Sequence, residues 1–122
     1  MEYLVKGDLT IEVSQTSPSD AYCCFWRGKS NERNPPEILR PWFDALLAAA
    51  SEGKVPVEMH FERIEHFNSS TINALIRLIQ SARKASVRLV LVYDQNLKWQ
   101  RLSFDALRVF DKNNDLFELR SA

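Results

Sequence analysis

The stretch Glu65-His66-Phe67-Asn68-Ser69-Ser70-Thr71-Ile72-Asn73 separates two segments with different hydrophobic periods. Before it, Val55, Val57, Met59 and Phe61 alternate with Pro56, Glu58, His60 and Glu62, which is the period of a strand. After it, Ile72, Leu75, Ile76, Ile79 and Ala82 follow the spacing of an amphipathic helix over residues 70–84. A polar cluster at that junction is a strand-to-helix turn. Asn68, Ser69 and Ser70 all suit a helix N-cap, because a side-chain oxygen there accepts from the free N–H groups of the first turn. The same N–H groups, with the helix dipole behind them, favour negative charge. A serine hydroxyl in this place is therefore a cap, a phosphate attachment point, or both.

The rest of the chain supplies the partners of that unit. Residues 1–6 read as a short strand or extended arm, and Gly7-Asp8 as a turn. Leu9, Ile11 and Val13 alternate with polar residues, and residues 21–27 form a second strand that is apolar on both faces, hence central. The Ser- and Pro-containing turn over 15–20 makes these an antiparallel hairpin. Residues 28–36 read as a polar loop. Asn34-Pro35-Pro36-Glu37 then opens a helix that runs to about Glu52, with Gly53 as its stop and Trp42, Leu46 and Ala49 or Ala50 on its apolar face. Pro41 would kink this helix or delay its start. Val87 to Tyr93 is a buried parallel strand, residues 98–110 form a third amphipathic helix, and Leu116 to Leu119 a last short strand. On that helix Trp99, Leu102, Ala106, Leu107 and Phe110 make the apolar side. Strands alternating with helices imply an α/β fold with a mainly parallel sheet, opened by an antiparallel hairpin.

Length and charge narrow the function. A chain of 122 residues is one domain, 1–122, with residues 1–7 as an arm or edge strand. Its 16 basic and 16 acidic residues cancel, which argues against binding nucleic acid or an anionic membrane surface. No apolar run approaches the roughly 20 residues of a membrane span. The start of the chain does not read as a signal peptide. Cys23 and Cys24 are adjacent and point to opposite faces of a strand, so they neither pair nor share a metal easily. A reduced, cytoplasmic protein is expected.

Enzyme signatures are missing. There is no Gly-x-Ser-x-Gly elbow and no Walker loop, and with three glycines a nucleotide cradle is not expected, so no cofactor is implied. His60 and His66 fit no metal-ligand pattern, and no metal is expected. A Ser–His–acid set drawn from Ser69 or Ser70, His66 and Glu62 or Glu65 lacks any nucleophile motif. Trp26, Trp42 and Trp99 read as core residues. Trp99, beside Lys98, Gln100 and Arg101 at a helix start, is also a candidate exposed anchor.

The order of elements around Phe67-Asn68-Ser69-Ser70-Thr71-Ile72-Asn73 resembles the STAS domain family of anti-sigma-factor antagonists and sulfate-transporter domains. The resemblance covers about residues 8–120. The family's turn motif is Asp-Ser-Ser/Thr-Gly, with a phosphorylatable hydroxyl before the Gly. By that alignment Asn68 stands at the Asp, Ser69 at the first hydroxyl, Ser70 at the phosphorylation site and Thr71 at the Gly. The Asn-Ser-Ser turn, with Leu97-Lys98-Trp99-Gln100 later, looks closer to STAS-like regulators of cyanobacteria and other bacteria. The resemblance implies a curved sheet with helices mainly on one face. It also implies a non-enzymatic switch in bacterial signalling and transcription control, phosphorylated on Ser70 or Ser69. The expected partner is a protein such as a Ser/Thr kinase-type anti-sigma factor or another regulator. The expected contact surface is the turn (His66, Asn68, Ser69, Ser70), the following helix face (Asn73, Arg77) and the later loop (Asn96, Trp99). A homodimer is a further candidate arrangement. The alternatives are a module binding a small anion or nucleotide at the same helix terminus, or a constitutive docking or oligomer-forming domain in which the serines only cap.

Overall fold

The computed structural model describes residues 3–17, 19–31, 35–111 and 116–121, with side chains at all of these except 3–6, 35–38 and 111. The expected cap residue Asn34 lies outside the described residues. The elements run β1 (Tyr3–Lys6), β2 (Leu9–Ser14), β3 (Tyr22–Ser30), α1 (Pro35–Gly53), β4 (Val57–Phe67), α2 (Ser69–Lys84), β5 (Leu89–Tyr93), α3 (Lys98–Asp105) and β6 (Phe117–Ser121), with a 3-10 turn at Arg108–Asp111. The sheet carries its strands in chain order, β1-β2-β3-β4-β5-β6. β1, β2 and β3 are antiparallel neighbours, and β3, β4, β5 and β6 are parallel neighbours. This is the α/β mixed sheet expected from the sequence.

Every described helix packs on the same face. Leu39, Phe43, Leu46, Leu47 and Ala50 of α1 join Leu75, Leu78 and Ile79 of α2 and Phe104 of α3 in one core with Ile11, Trp26, Met59, Phe61 and Leu91 of the sheet. The apolar side of α1 is thus centred on Phe43 and Leu46, with Trp42 only partly buried at its flank. The helix runs through Pro41. The first turn of α2 is rich in poor helix formers (Ser69, Ser70, Thr71, Asn73). Their combined propensity cost is about 2 kcal/mol. Burying Leu75, Leu78 and Ile79 contributes about 1.5–3 kcal/mol each, so packing decides the helix.

Two strands are longer than their sequence patterns suggest. β4 continues past Phe61 to Phe67. Its buried residues are Val57, Met59 and Phe61, then Ile64, then Phe67. The register against β3 slips between Phe25 and Arg27 and again between Gly28 and Lys29. Each slip is a bulge that inserts a residue, bends the strand and restores the next apolar side chain to the core face. Strict alternation therefore fails after Phe61, although the strand does not end. β3 continues through Gly28 to Ser30, where a polar loop was expected. Gly28 has φ +85, and a Cβ there would lie 2.0 Å from the Asp8 carbonyl oxygen. Only glycine lets the strand pass the β1–β2 turn, where Lys29 N–H donates to the same carbonyl at 3.1 Å.

The third helix is shorter than expected. α3 ends at Asp105, and N–H groups of Leu107 and Phe110 then donate to Phe104 and Leu107 in tighter three-residue steps. Its inward positions are Gln100 and Phe104, with Leu107 following, while Leu102 is 58% exposed. The buried Gln100 disguised the inward stripe as a polar position.

Candidate functional site

Parallel strands β3 and β4 end together at the register partners Ser30 and Phe67, while β5 stops at Tyr93, one residue past the His60–Val92 pair. The crevice beyond the carboxyl ends of such strands is where open α/β sheets commonly bind their ligands. Here the β4–α2 turn and the β5–α3 loop follow those strand ends.

Asn68 is the N-cap of α2, extended at φ −88 and ψ 174. Its Oδ1 accepts from Thr71 N–H at 3.0 Å and lies 2.8 Å from the Thr71 hydroxyl. Asn68 N–H donates to the Ser30 carbonyl at 3.1 Å, which fastens the turn to the end of β3. Thr71 is fully buried, and its hydroxyl also lies 2.8 Å from the Ser30 hydroxyl and 3.2 Å from the Ser30 carbonyl. Thr71 sits in the helical first turn, so the glycine-type freedom of the STAS motif at this position is not needed here. Capping is thus performed by Asn68 and Thr71. Ser69 is exposed and Ser70 half-buried, and neither hydroxyl makes a hydrogen bond among the described residues. The backbone N–H groups of Ser69 and Ser70, first in the helix, have no acceptor among those residues either.

Trp99 joins the two loops. It is half-buried, packs edge-on against Phe67 with ring centroids 5.2 Å apart, and lies 6.2 Å from the His66 ring. It thus ties the start of α3 to the end of β4, beside the exposed His66. Asn96 is exposed in a turn closed by its own N–H donating to Asp94 Oδ1 at 2.9 Å. The structure therefore gathers His66, Asn68, Ser69, Ser70, Asn96 and Trp99 at one end of the sheet. Asn73 is exposed farther along α2. Arg77 stands apart, about 10 Å along the axis from Ser70 by helix rise. It lines a groove of about 440 Å³ between α1 and α2, with Arg40, Asp44, Ser81 and Lys84. No hydrogen bond among the described residues joins Ser69 or Ser70 to His66, so the Ser–His–acid set is not wired as a relay there.

Sequence reading missed two supports of these loops. Ser30 lies in the supposed loop 28–36. Gln100 is fully buried, and its Nε2 donates to the Phe61 carbonyl at 2.7 Å and the Ile64 carbonyl at 3.3 Å. Its Oε1 accepts from Asp94 N–H at 2.8 Å. One side chain thereby satisfies carbonyls at the β4 bulge and fixes the start of the 94–97 loop.

The two cysteines are free and divided between the faces, with Cys24 in the core and Cys23 half-buried on the other side. Burial pushes the Cys24 thiol far above its usual range, with Cys23 adding a smaller push. Burial and then the Glu58 and Asp20 carboxylates raise that of Cys23. Neither is a ready thiolate nucleophile. Among the described residues, no helix is long and apolar enough to cross a membrane.

Comparison with known proteins fits this architecture. No protein-family model matches the chain, and no curated protein matches it in sequence. Among solved structures it is similar to "Structure of the Bacillus Cell Fate Determinant SpoIIAA in the Phosphorylated Form", with a TM-score of 0.60, 13% identity, and coverage of 92% of this chain and 90% of that one. At that identity the likeness concerns the fold alone, and this chain has a STAS-type fold.

Proposed function

We propose that this chain is a non-enzymatic signalling switch of the cytoplasm that docks a regulatory protein at the carboxyl end of its sheet and releases it when Ser70, or failing that Ser69, is phosphorylated. One observation carries the reading. Asn68 and Thr71 complete the cap between them, so both serine hydroxyls are left over at a helix N-terminus. A phosphate on Ser70 adds about −1.5 to −2 charge and three acceptor oxygens beside N–H groups that lack acceptors among the described residues. The helix dipole favours that charge, so the fold tolerates the phosphate. A partner seated on His66, Ser69, Ser70, Asn73 and Asn96 would meet a bulky dianion instead of a small hydroxyl. Binding would change and stability would not. The similar solved structure is of a phosphorylated protein, which agrees with the reading.

The test begins with mass spectrometry of the peptide spanning residues 64–77 from the protein's own cells, followed by binding with Ser70→Ala and Ser70→Asp. A switch leaves both variants folded with unchanged unfolding midpoints, retains the partner in Ser70→Ala and loses it in Ser70→Asp. Equal binding by both variants would sink the switch. A loss of about 1 kcal/mol in Ser70→Ala would instead return the serine to a capping role.

A further inference from the structure

The helix-free face of the sheet carries a second cluster that the STAS-type reading does not use. In the β3–β4 register Cys23 stands opposite Glu58 and Phe25 opposite His60. Glu58 and His60 are two apart on one strand, so all four project from this same face. Glu58 Oε1 lies 3.1 Å from His60 Nε2 and 4.0 Å from Cys23 Sγ, and the three donor atoms are all within 4.8 Å of one another. All three residues are half-buried.

The histidine is oriented from two sides. Phe25 stacks on its ring with centroids 4.8 Å apart and planes 22° apart. Glu62 Oε1 lies 3.4 Å from Nδ1, and that oxygen is closed to solvent without a hydrogen bond of good geometry among the described residues. The ring thus has a carboxylate at each nitrogen. A neutral imidazole has a single N–H, so one lone pair would face a carboxylate oxygen. A metal ion between His60 and Glu58 would be bound by that lone pair and the carboxylate together. A metal there would use all three donors, in place of the contacts that the Cys23 thiol now makes to Glu58 Oε1 and the Ala21 carbonyl, each at 4.0 Å.

We infer that Cys23, Glu58 and His60 form a three-ligand site for Zn²⁺ on the helix-free face, with Glu62 as the positioning carboxylate behind His60. Thiolate, imidazole and carboxylate together suit Zn²⁺ rather than the oxygen-seeking Mg²⁺ or Ca²⁺. Tetrahedral Zn²⁺ with these donors sets them about 3.4–3.6 Å apart. Two of the three pairs stand at 3.1 and 4.0 Å and all lie within 4.8 Å, so the donors need move by only about 1 Å to close on the metal. On binding, the Cys23 sulfur–hydrogen bond is exchanged for a sulfur–zinc bond and the proton leaves to water. A fourth position stays open to water. Arg120 of β6 is held by Glu118 at 3.1 Å and also feels the Glu58 carboxylate, so it is the cation that a bound metal would compete with. The histidines could not disclose this site in the sequence, because Cys23 and Glu58 are 35 residues apart and meet only through strand pairing.

The experiment is titration of the chelator-treated full chain with Zn²⁺ by calorimetry and with Co²⁺ by absorption. One equivalent should bind, and Co²⁺ should show a sulfur-to-metal charge-transfer band. Cys23→Ser should abolish that band and weaken Zn²⁺ by at least about tenfold, and Glu62→Gln should weaken it by about 10- to 100-fold. Thermal melting of each variant checks its fold. In the unaltered chain Zn²⁺ should also slow alkylation of Cys23, reversibly with chelator, so the site can be tested even if a variant unfolds. Absence of stoichiometric binding, binding that survives Cys23→Ser, or alkylation indifferent to Zn²⁺ would overturn the proposal.

Discussion

Ser30 at the end of β3 and Thr71 in the first turn of α2 hold their hydroxyl oxygens 2.8 Å apart, closed off from solvent. Thr71 has one hydroxyl proton and three acceptors around it: Asn68 Oδ1, the Ser30 carbonyl and Ser30 Oγ. When Thr71 donates to either of the first two, the Ser30 hydroxyl donates to Thr71. The pair is therefore fully satisfied only as a pair, and it locks the turn bearing Ser69 and Ser70 to the sheet.

Thr71→Val should accordingly cost about 1–3 kcal/mol, because it strands the Ser30 hydroxyl where water cannot reach it. Adding Ser30→Ala should cost much less than the same change made alone, since the stranded group is then gone. Urea unfolding of the two single variants and the double variant measures this coupling. Additive losses would mean that the two hydroxyls do not depend on each other.

Gln100 does similar work for the β5–α3 loop. Gln100→Leu keeps the volume but removes the donor to Phe61 and Ile64 carbonyls and the acceptor for Asp94 N–H. Each lost partner at a buried backbone group costs about 1–3 kcal/mol before water enters, so a total near 3 kcal/mol is expected. The local signature is more specific. Asp94 amide hydrogen exchange should accelerate in Gln100→Leu far more than exchange in the centre of β5. Uniform acceleration would show a global loss of stability without a role in fixing the loop.

These two supports mark where sequence reading reached its limit. The turn itself was legible because capping chemistry is local: Asn68 sits three residues before its acceptor's donor, and the strand and helix periods change across it. The choice among Asn68, Ser69 and Ser70 was not legible, since all three residue types cap and tertiary contact to Ser30 selects the first. β4 was cut short at Phe61 because the two bulges turn a period of two into the steps Phe61, Ile64, Phe67. Gly28 looked like loop punctuation, and its close approach to Asp8 is visible only in the folded sheet. The Ser30–Thr71 pair spans 41 residues, and Gln100 reaches back 39 to Phe61, separations that no local pattern reports.

The helix ends supply a last case, and one that separates the two readings by experiment. The sequence points to Gly53 as the left-handed stop of α1. In the structure that conformation belongs to Lys54, at φ 55, and the matching position after α2 is Ser86, at φ 56. The two ends are built alike. Lys54 N–H donates to Ser51 and Val55 N–H to Ala50, while Ser86 N–H donates to Arg83 and Val87 N–H to Ala82. Both are Schellman closures that deliver a buried valine at the approach to the next strand. A residue with a Cβ is strained by about 1–2 kcal/mol in this conformation, and glycine's greater unfolded-state freedom returns part of that. Lys54→Gly and Ser86→Gly should therefore each stabilise by about 0.5–1 kcal/mol, read as a thermal midpoint a few degrees higher. Gly53→Ala is the companion variant. Gly53 is helical here, and a Cβ would make an ordinary contact 3.8 Å from Val55. Alanine at that position should stabilise by up to about 1 kcal/mol. Destabilisation by Gly53→Ala with no gain from Lys54→Gly would put the left-handed residue back at Gly53.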